Sequence, residues 1–235
     1  MNNCVYAKRF THAMRSFIGS EGLIGNKNFG PLINVSSIGK LIYFSFNNIY
    51  IVVYLCKDDY LEFSIRPDGI SNYENILFRL GSGYIVSHYG KIKHQIKTSS
   101  ELSKILSKFG SDPTRTMNSF LFFDSIKGHA NKNRNRNIRS FLLDQKIIAG
   151  LDCYYVDKIL NKNFINPKQA VCQLEDKLFE TLVKSIVSIC NSDNSFGLFS
   201  FTNNHKLEKC VYCHSNLYSS IVASRACYYE DCQNG

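Results

Sequence analysis

The chain has 235 residues, 44% of them hydrophobic, with 28 Lys/Arg against 19 Asp/Glu for a formal net charge of +9. That hydrophobic share excludes a wholly disordered chain, and the length allows two compact domains. No run reaches the ~18 apolar residues of a membrane span, and the opening MNNCVYAKRF lacks the apolar segment of a secretory signal. The expected setting is therefore intracellular and reducing (cytoplasm or nucleus), with no membrane partner. There the nine cysteines read as metal ligands or buried thiols. The positive excess makes a polyanion a reasonable partner.

In chain order, the front half reads as β-structure. Leu41 to Phe46 and Ile49 to Leu55 are apolar, aromatic and β-branched, with Asn47-Asn48 between them, which predicts a hairpin. Ile76 to Leu80, Gly81-Ser82-Gly83 and Tyr84 to His88 predict a second. Short strands at this spacing suggest a sandwich or barrel. Ser99-Ser100-Glu101 opens a helical stretch, Glu101 to Phe109, with Leu102, Ile105 and Leu106 on one face. Gly110-Ser111-Asp112-Pro113 ends it and marks a domain boundary.

Lys127 to Arg139, KGHANKNRNRNIR, holds five Lys/Arg and no acid, and reads as a solvated loop placed to meet phosphate. A helix over Ile138 to Ile147 and another over Tyr155 to Lys162 follow, joined by Ala149-Gly150-Leu151-Asp152-Cys153. Leu174, Leu178, Leu182, Ile186 and Cys190 recur every four residues along a core-packing helix, Leu174 to Cys190. In the tail, Cys210, Cys213, Cys227 and Cys232 have the pattern of a structural four-thiolate Zn2+ site, in which closed tetrahedral coordination leaves no open catalytic position. Leu217 to Ala226, between the two pairs, is suited to a hairpin.

Arg139-SFLLDQKIIAG-Leu151, continuing through Tyr155, Asp157, Ile159 and Leu160, resembles the helix–two-turn–helix motif of the formamidopyrimidine-DNA glycosylase / endonuclease VIII family. Asn163-Phe164-Ile165-Asn166-Pro167 resembles the family's Gly-Ile-His-Pro segment. Phe109 to Pro113 resembles its domain junction, and Gly39-Lys40 the Gly-Lys before a central strand. Cys232-Gln233 resembles the close of its zinc finger. The resemblance implies an α+β fold: an N-terminal β-sandwich (1–110), a helix–two-turn–helix domain (114–200) and a zinc β-hairpin finger (201–235). It implies a monomer that binds duplex DNA, damaged or abasic, and flips a base out of the stack. The family attacks C1′ with an N-terminal amine, usually of proline, while a neighbouring glutamate handles protons and elimination breaks the strand.

The departures from the family fall on that chemistry. Asn2-Asn3 stand where the family has Pro-Glu, and Lys40 comes early, so a first helix is expected to be missing and the 1–110 domain to be truncated at its start. Asp152-Cys153 replaces a Gly-Asn whose asparagine binds phosphate, and Asp152 would repel it. The void-filling methionine aligns near Lys57, and the wedge Arg and Phe near Ile92 and His94, with Lys93 the nearest cation. The lid segment, Asn191 to Lys209, is short. Lys40, in a supporting catalytic and phosphate-binding role, together with Lys146, Arg225 and Lys93, are the candidate DNA contacts. Three roles follow: a glycosylase with AP lyase activity, a catalytically weak or inactive DNA-binding relative, or a scaffold that binds proteins.

Overall fold

A helix, α1, spans Asn3–Met14 in the computed structural model, which describes residues 3–55, 60–65, 75–88, 94–115, 119–191, 218–222 and 225–229, the last two as backbone only. Its buried Ala7, Phe10, Thr11 and Met14 lie at i, i+3, i+4 and i+7, the spacing of one helix face. This corrects the expectation that a first helix is missing. Two of these four positions are Ala and Thr, so the apolar period that exposes most helices is muted. Tyr6 ties α1 to the sheet: its hydroxyl accepts the Leu61 N–H at 2.9 Å and donates to the Leu61 carbonyl.

Eight strands follow: β1 (Glu21–Ile24), β2 (Lys27–Ile38), β3 (Leu41–Phe46), β4 (Ile49–Tyr54), β5 (Tyr60–Ser64), β6 (Asn75–Leu80), β7 (Gly83–His88) and β8 (His94–Thr98). They form one antiparallel sheet in the order β5-β7-β6-β1-β2-β3-β4-β8. Both predicted hairpins are present. Asn47 turns the first at φ 43° and Gly81 the second at φ 57°. In that order β3 and β6 stand three strands apart, about 14 Å in a flat sheet at ~4.8 Å per strand. Yet Phe44 of β3 meets Phe78 of β6 edge-on, with ring centroids 4.9 Å apart. The sheet therefore folds over on itself along β2, which pairs with β1 through its first half and β3 through its second. A register irregularity between Leu32 and Asn34 marks the bend. The expected sandwich is thus one continuous sheet with a shared strand. Phe44, Phe46, Ile51, Phe78 and Leu80 fill its inside together with α1.

Thr98 caps α2 (Ser99–Leu106) in a capping box with Glu101, whose Oε2 accepts the Thr98 N–H at 2.8 Å. Leu102 packs on Leu41 and Val52, the face of β3 and β4 that points away from the main core. Both faces of these strands are covered, which is why they read as continuous apolar runs.

The chain divides into two compact units, 1–109 and 110–235. The second contains α3 (Ser119–Lys132), α4 (Ile138–Leu143), α5 (Cys153–Lys162), α6 (Asp176–Asn191) and a hairpin of β9 (Tyr218–Val222) and β10 (Arg225–Tyr229). Phe122, Ile126, Phe141, Val156, Leu182 and Ile186 belong to one core drawn from all four helices. The reading of Lys127 to Arg139 as a solvated loop is corrected: its first half is the end of α3. Three of its five cations meet acids distant in sequence, Lys127 with Asp176 at 3.5 Å, Arg136 with Asp144 at 2.8 Å and Arg139 with Asp157 at 2.6 Å. The helix predicted over Ile138 to Ile147 stops at Leu143, because Asp144 turns the chain. No helix among the described residues is long and apolar enough to cross a membrane.

Candidate nucleic-acid interface

The turn between α4 and α5 is built from its own side chains. Asn137 caps α4, its Oδ1 accepting the Ser140 N–H at 2.8 Å. Two residues on, Arg139 is fully buried and grips Asp157 of α5 with two bonds, Nε to Oδ1 at 2.6 Å and Nη2 to Oδ2 at 3.1 Å. The planar guanidinium matches the carboxylate fork, so the bond fixes the angle between the helices as well as their separation. The motif resemblance includes both residues, but their pairing, across 18 residues, is not legible in the sequence.

Asp144 ends α4. Its Oδ1 accepts the Lys146 N–H at 3.0 Å, and its Oδ2 accepts Arg136 Nη1 at 2.8 Å. Burial works against ionisation of this carboxyl, but the Arg136 hydrogen bond, the Lys146 amide and the nearby positive charge outweigh it and hold its pKa below the ordinary range. Gln145 spans the turn: its Nε2 donates to the Leu151 carbonyl at 2.8 Å, and its Oε1 accepts the Gly150 N–H at 2.7 Å. Gly150 sits at φ 94°, a conformation that glycine adopts without strain.

The segment that enters the second unit braces this turn from outside. Gly110 N–H donates to the Gln145 carbonyl at 2.8 Å, Ser111 N–H to that of Ile147 at 3.2 Å, and Ala149 N–H to that of Ser111 at 2.9 Å. A Cβ on Gly110 would stand 2.2 Å from the Ile147 carbonyl oxygen, so this approach requires glycine. The result is a rigid turn with Lys146 exposed on it.

Asp152 is the N-cap of α5, its Oδ1 accepting the Tyr155 N–H at 3.1 Å. A carboxylate here satisfies an otherwise unpartnered amide and complements the positive end of the helix dipole. The charge read from the sequence as repelling phosphate therefore occupies the anion-favouring helix end itself. The signal was available: Asp152 stands just before the helical apolar set Tyr155, Val156, Ile159 and Leu160. Along α5, burial and the neighbouring Lys162 lower the pKa of Lys158, and burial together with the Asp152 charge raises that of Tyr154.

The other predicted residues are placed as follows. Lys40 is half-buried at the β2–β3 turn in the first unit, where its carbonyl accepts the Leu55 N–H at 3.0 Å. His94 opens β8. Arg225 begins β10 and Cys227 lies opposite Ser220 in the β9–β10 hairpin, of which the backbone alone is described; β10 packs on α5. So Lys146 and Arg225 lie on segments that both adjoin α5, whereas Lys40 belongs to the other unit. Lys57, Ile92, Lys93, Cys210, Cys213, Cys232 and the lid segment beyond Asn191 lie outside the described residues. Among the described residues no group of three or more His, Cys, Asp or Glu side chains is placed to hold a metal. The hairpin expected over Leu217 to Ala226 is formed by Tyr218–Val222 and Arg225–Tyr229, so Cys227 lies within its second strand and not beyond it.

A sequence profile described as "Formamidopyrimidine-DNA glycosylase H2TH domain" matches residues 109–194, the span of the turn and its four helices. The formamidopyrimidine-DNA glycosylase of Pediococcus pentosaceus is 28% identical over 176 residues, 72% of this chain and 61% of that protein. That of Bacillus licheniformis is 24% identical over 214 residues, 81% and 76% of the two chains. Among solved structures, the Lactococcus lactis formamidopyrimidine-DNA glycosylase bound non-covalently to DNA containing an AP site superposes with a TM-score of 0.75 at 17% identity, over 99% of this chain and 100% of that one. The likeness in fold thus takes in the N-terminal unit, α1 included, as well as the helices. The profile match over the braced turn, the named relatives and the common fold agree: the chain is similar to the formamidopyrimidine-DNA glycosylases and carries their H2TH domain over residues 109–194.

Proposed function

We propose that this protein is a DNA-binding base-excision-repair protein of the damaged-base glycosylase type, in which DNA binding is retained and the glycosylase and AP lyase chemistry is weakened or lost. The observation that carries the reading is the intact helix–two-turn–helix frame, with Arg139 clamped to Asp157 and Lys146 exposed on a turn braced by Gln145 and Gly110. Its partner is duplex DNA, damaged or abasic, as the Lactococcus lactis relative binds AP-site DNA. Lys146, Arg225, Lys93 and Lys40 are its phosphate contacts. Work as a monomer in a reducing compartment, cytoplasmic or nuclear, accords with this role.

The expected weakening of the chemistry lies in departures within the chain: Lys57 stands near the family's void-filling methionine, and Ile92 and His94 near its wedge Arg and Phe. Asp152 at the α5 N-terminus further weakens the hold on the lesion-flanking backbone. We assign Cys210, Cys213, Cys227 and Cys232 to a closed, structural zinc site. Zinc there would fix the finger and supplies no reaction step.

Borohydride trapping on an abasic-site duplex, run beside a binding titration of the same sample, tests the proposal. The expected result is a saturable non-covalent complex with little or no trapped product. A complex trapped to near completion would overturn the loss of chemistry, and no complex at all would overturn the DNA-binding reading.

A further inference from the structure

We infer that the outer face of α1 is a second phosphate-binding surface for duplex DNA, separate from the helix–two-turn–helix turn. Lys8, His12 and Arg15 are exposed at i, i+4 and i+7, one stripe of the helix and the turn that continues it, with Arg9 half-buried beside Lys8. The stripe is about 10 Å long at ~1.5 Å per residue, enough to reach more than one phosphate of a strand.

Helix stability alone does not account for this arrangement. Cations near the C-terminal end gain from the helix dipole, which covers His12 and Arg15. Lys8 and Arg9 lie mid-helix, outside the end turns where the dipole acts, and α1 contains no acid at all. Like charges four residues apart, such as Lys8 and a protonated His12, cost a helix a few tenths of a kcal/mol. The helix keeps three basic residues, and the turn after it a fourth, while its other face packs into the core through Ala7, Phe10 and Met14.

The distribution of charge points the same way. Residues 1–109 carry 13 Lys/Arg and 7 Asp/Glu, whereas residues 110–235 carry 15 and 12. Most of the positive excess therefore lies in the unit without the helix–two-turn–helix turn, and α1 itself contains no Asp or Glu. A regular array of cations with no apolar ridge suits the uniform backbone of a duplex better than a protein surface, which offers apolar anchors.

The inference rests on duplex DNA being the partner. The test is a titration of the full chain with an unmodified 20-base-pair duplex across 50–200 mM salt. Each cation that neutralises a phosphate contributes about 0.9 to the slope of log affinity against log salt. Replacing Lys8→Gln and Arg15→Gln together should reduce that slope by about 1.8. The pair Lys104→Gln and Lys108→Gln, exposed on α2 and the turn that follows it, removes the same charge and should leave the slope unchanged. An unchanged slope in the α1 pair, or an equal fall in the α2 pair, overturns the second surface while leaving the DNA-binding reading intact. Wild-type chain that does not bind the duplex overturns both. Should the double variant unfold, the single variants Lys8→Gln and Arg15→Gln, each worth about 0.9 of slope, decide the matter in the same way.

Discussion

Arg139 and Asp157 offer a quantitative handle on the frame. Arg139 is fully inaccessible, and its two bonds to Asp157 are short and charge-assisted. Changing Asp157→Asn keeps the volume but leaves a buried guanidinium facing a neutral group. Breaking a buried pair from one side costs about 3–5 kcal/mol; Asp157 retains some exposure, with 24% of its side-chain surface accessible, which favours the lower end. Denaturant unfolding of the full chain should show a loss near 3 kcal/mol, equivalent to a melting point lower by roughly 10 °C. The double variant Arg139→Met/Asp157→Leu removes both charges and should recover most of the loss, since an apolar replacement of a buried pair is often neutral. A cost below about 1 kcal/mol for Asp157→Asn, typical of a surface pair, would refute the view that this bond sets the angle between α4 and α5.

Other outcomes follow from the same geometry. Asp152→Asn keeps an N-cap of similar quality and removes the negative charge, so duplex affinity should rise severalfold in an anisotropy titration at unchanged stability; unchanged affinity would mean that no phosphate approaches the α5 N-terminus. The pKa of Asp144 is held below its ordinary 3.8, so its contribution to stability is full above that value and is lost as pH falls through the depressed folded pKa. Arg136→Gln removes the main opposing partner and should move acid unfolding, followed by circular dichroism, to higher pH; an unmoved midpoint would dismiss the Arg136–Asp144 bond as a source of stability. One zinc per chain should be released on thiol modification, with loss of DNA affinity at a largely retained helical signal; a metal-free purified chain of full affinity would rule the finger out.

What the sequence showed and hid has a physical pattern. The two hairpins were legible because strand alternation, Asn47-Asn48 and Gly81 act over a few residues. The motif from Arg139 to Leu160 was legible because the turn depends on local identities such as Gln145 and Gly150. The α1 helix was not, because Ala7 and Thr11 occupy inward positions where Leu would have shown the period. The basic run from Lys127 looked solvated because its partners, Asp144, Asp157 and Asp176, come from later helices. Asp152 was read by its charge alone, although its place before α5 was that of a cap.

The central claim is that this frame grips duplex DNA. The most direct measurement is the affinity of the full chain for an abasic-site duplex at 50 and 200 mM salt. Six phosphate contacts would weaken binding about a thousandfold over that range. The account predicts saturable binding with a steep fall of that kind; absent binding, or an affinity that ignores salt, would contradict it.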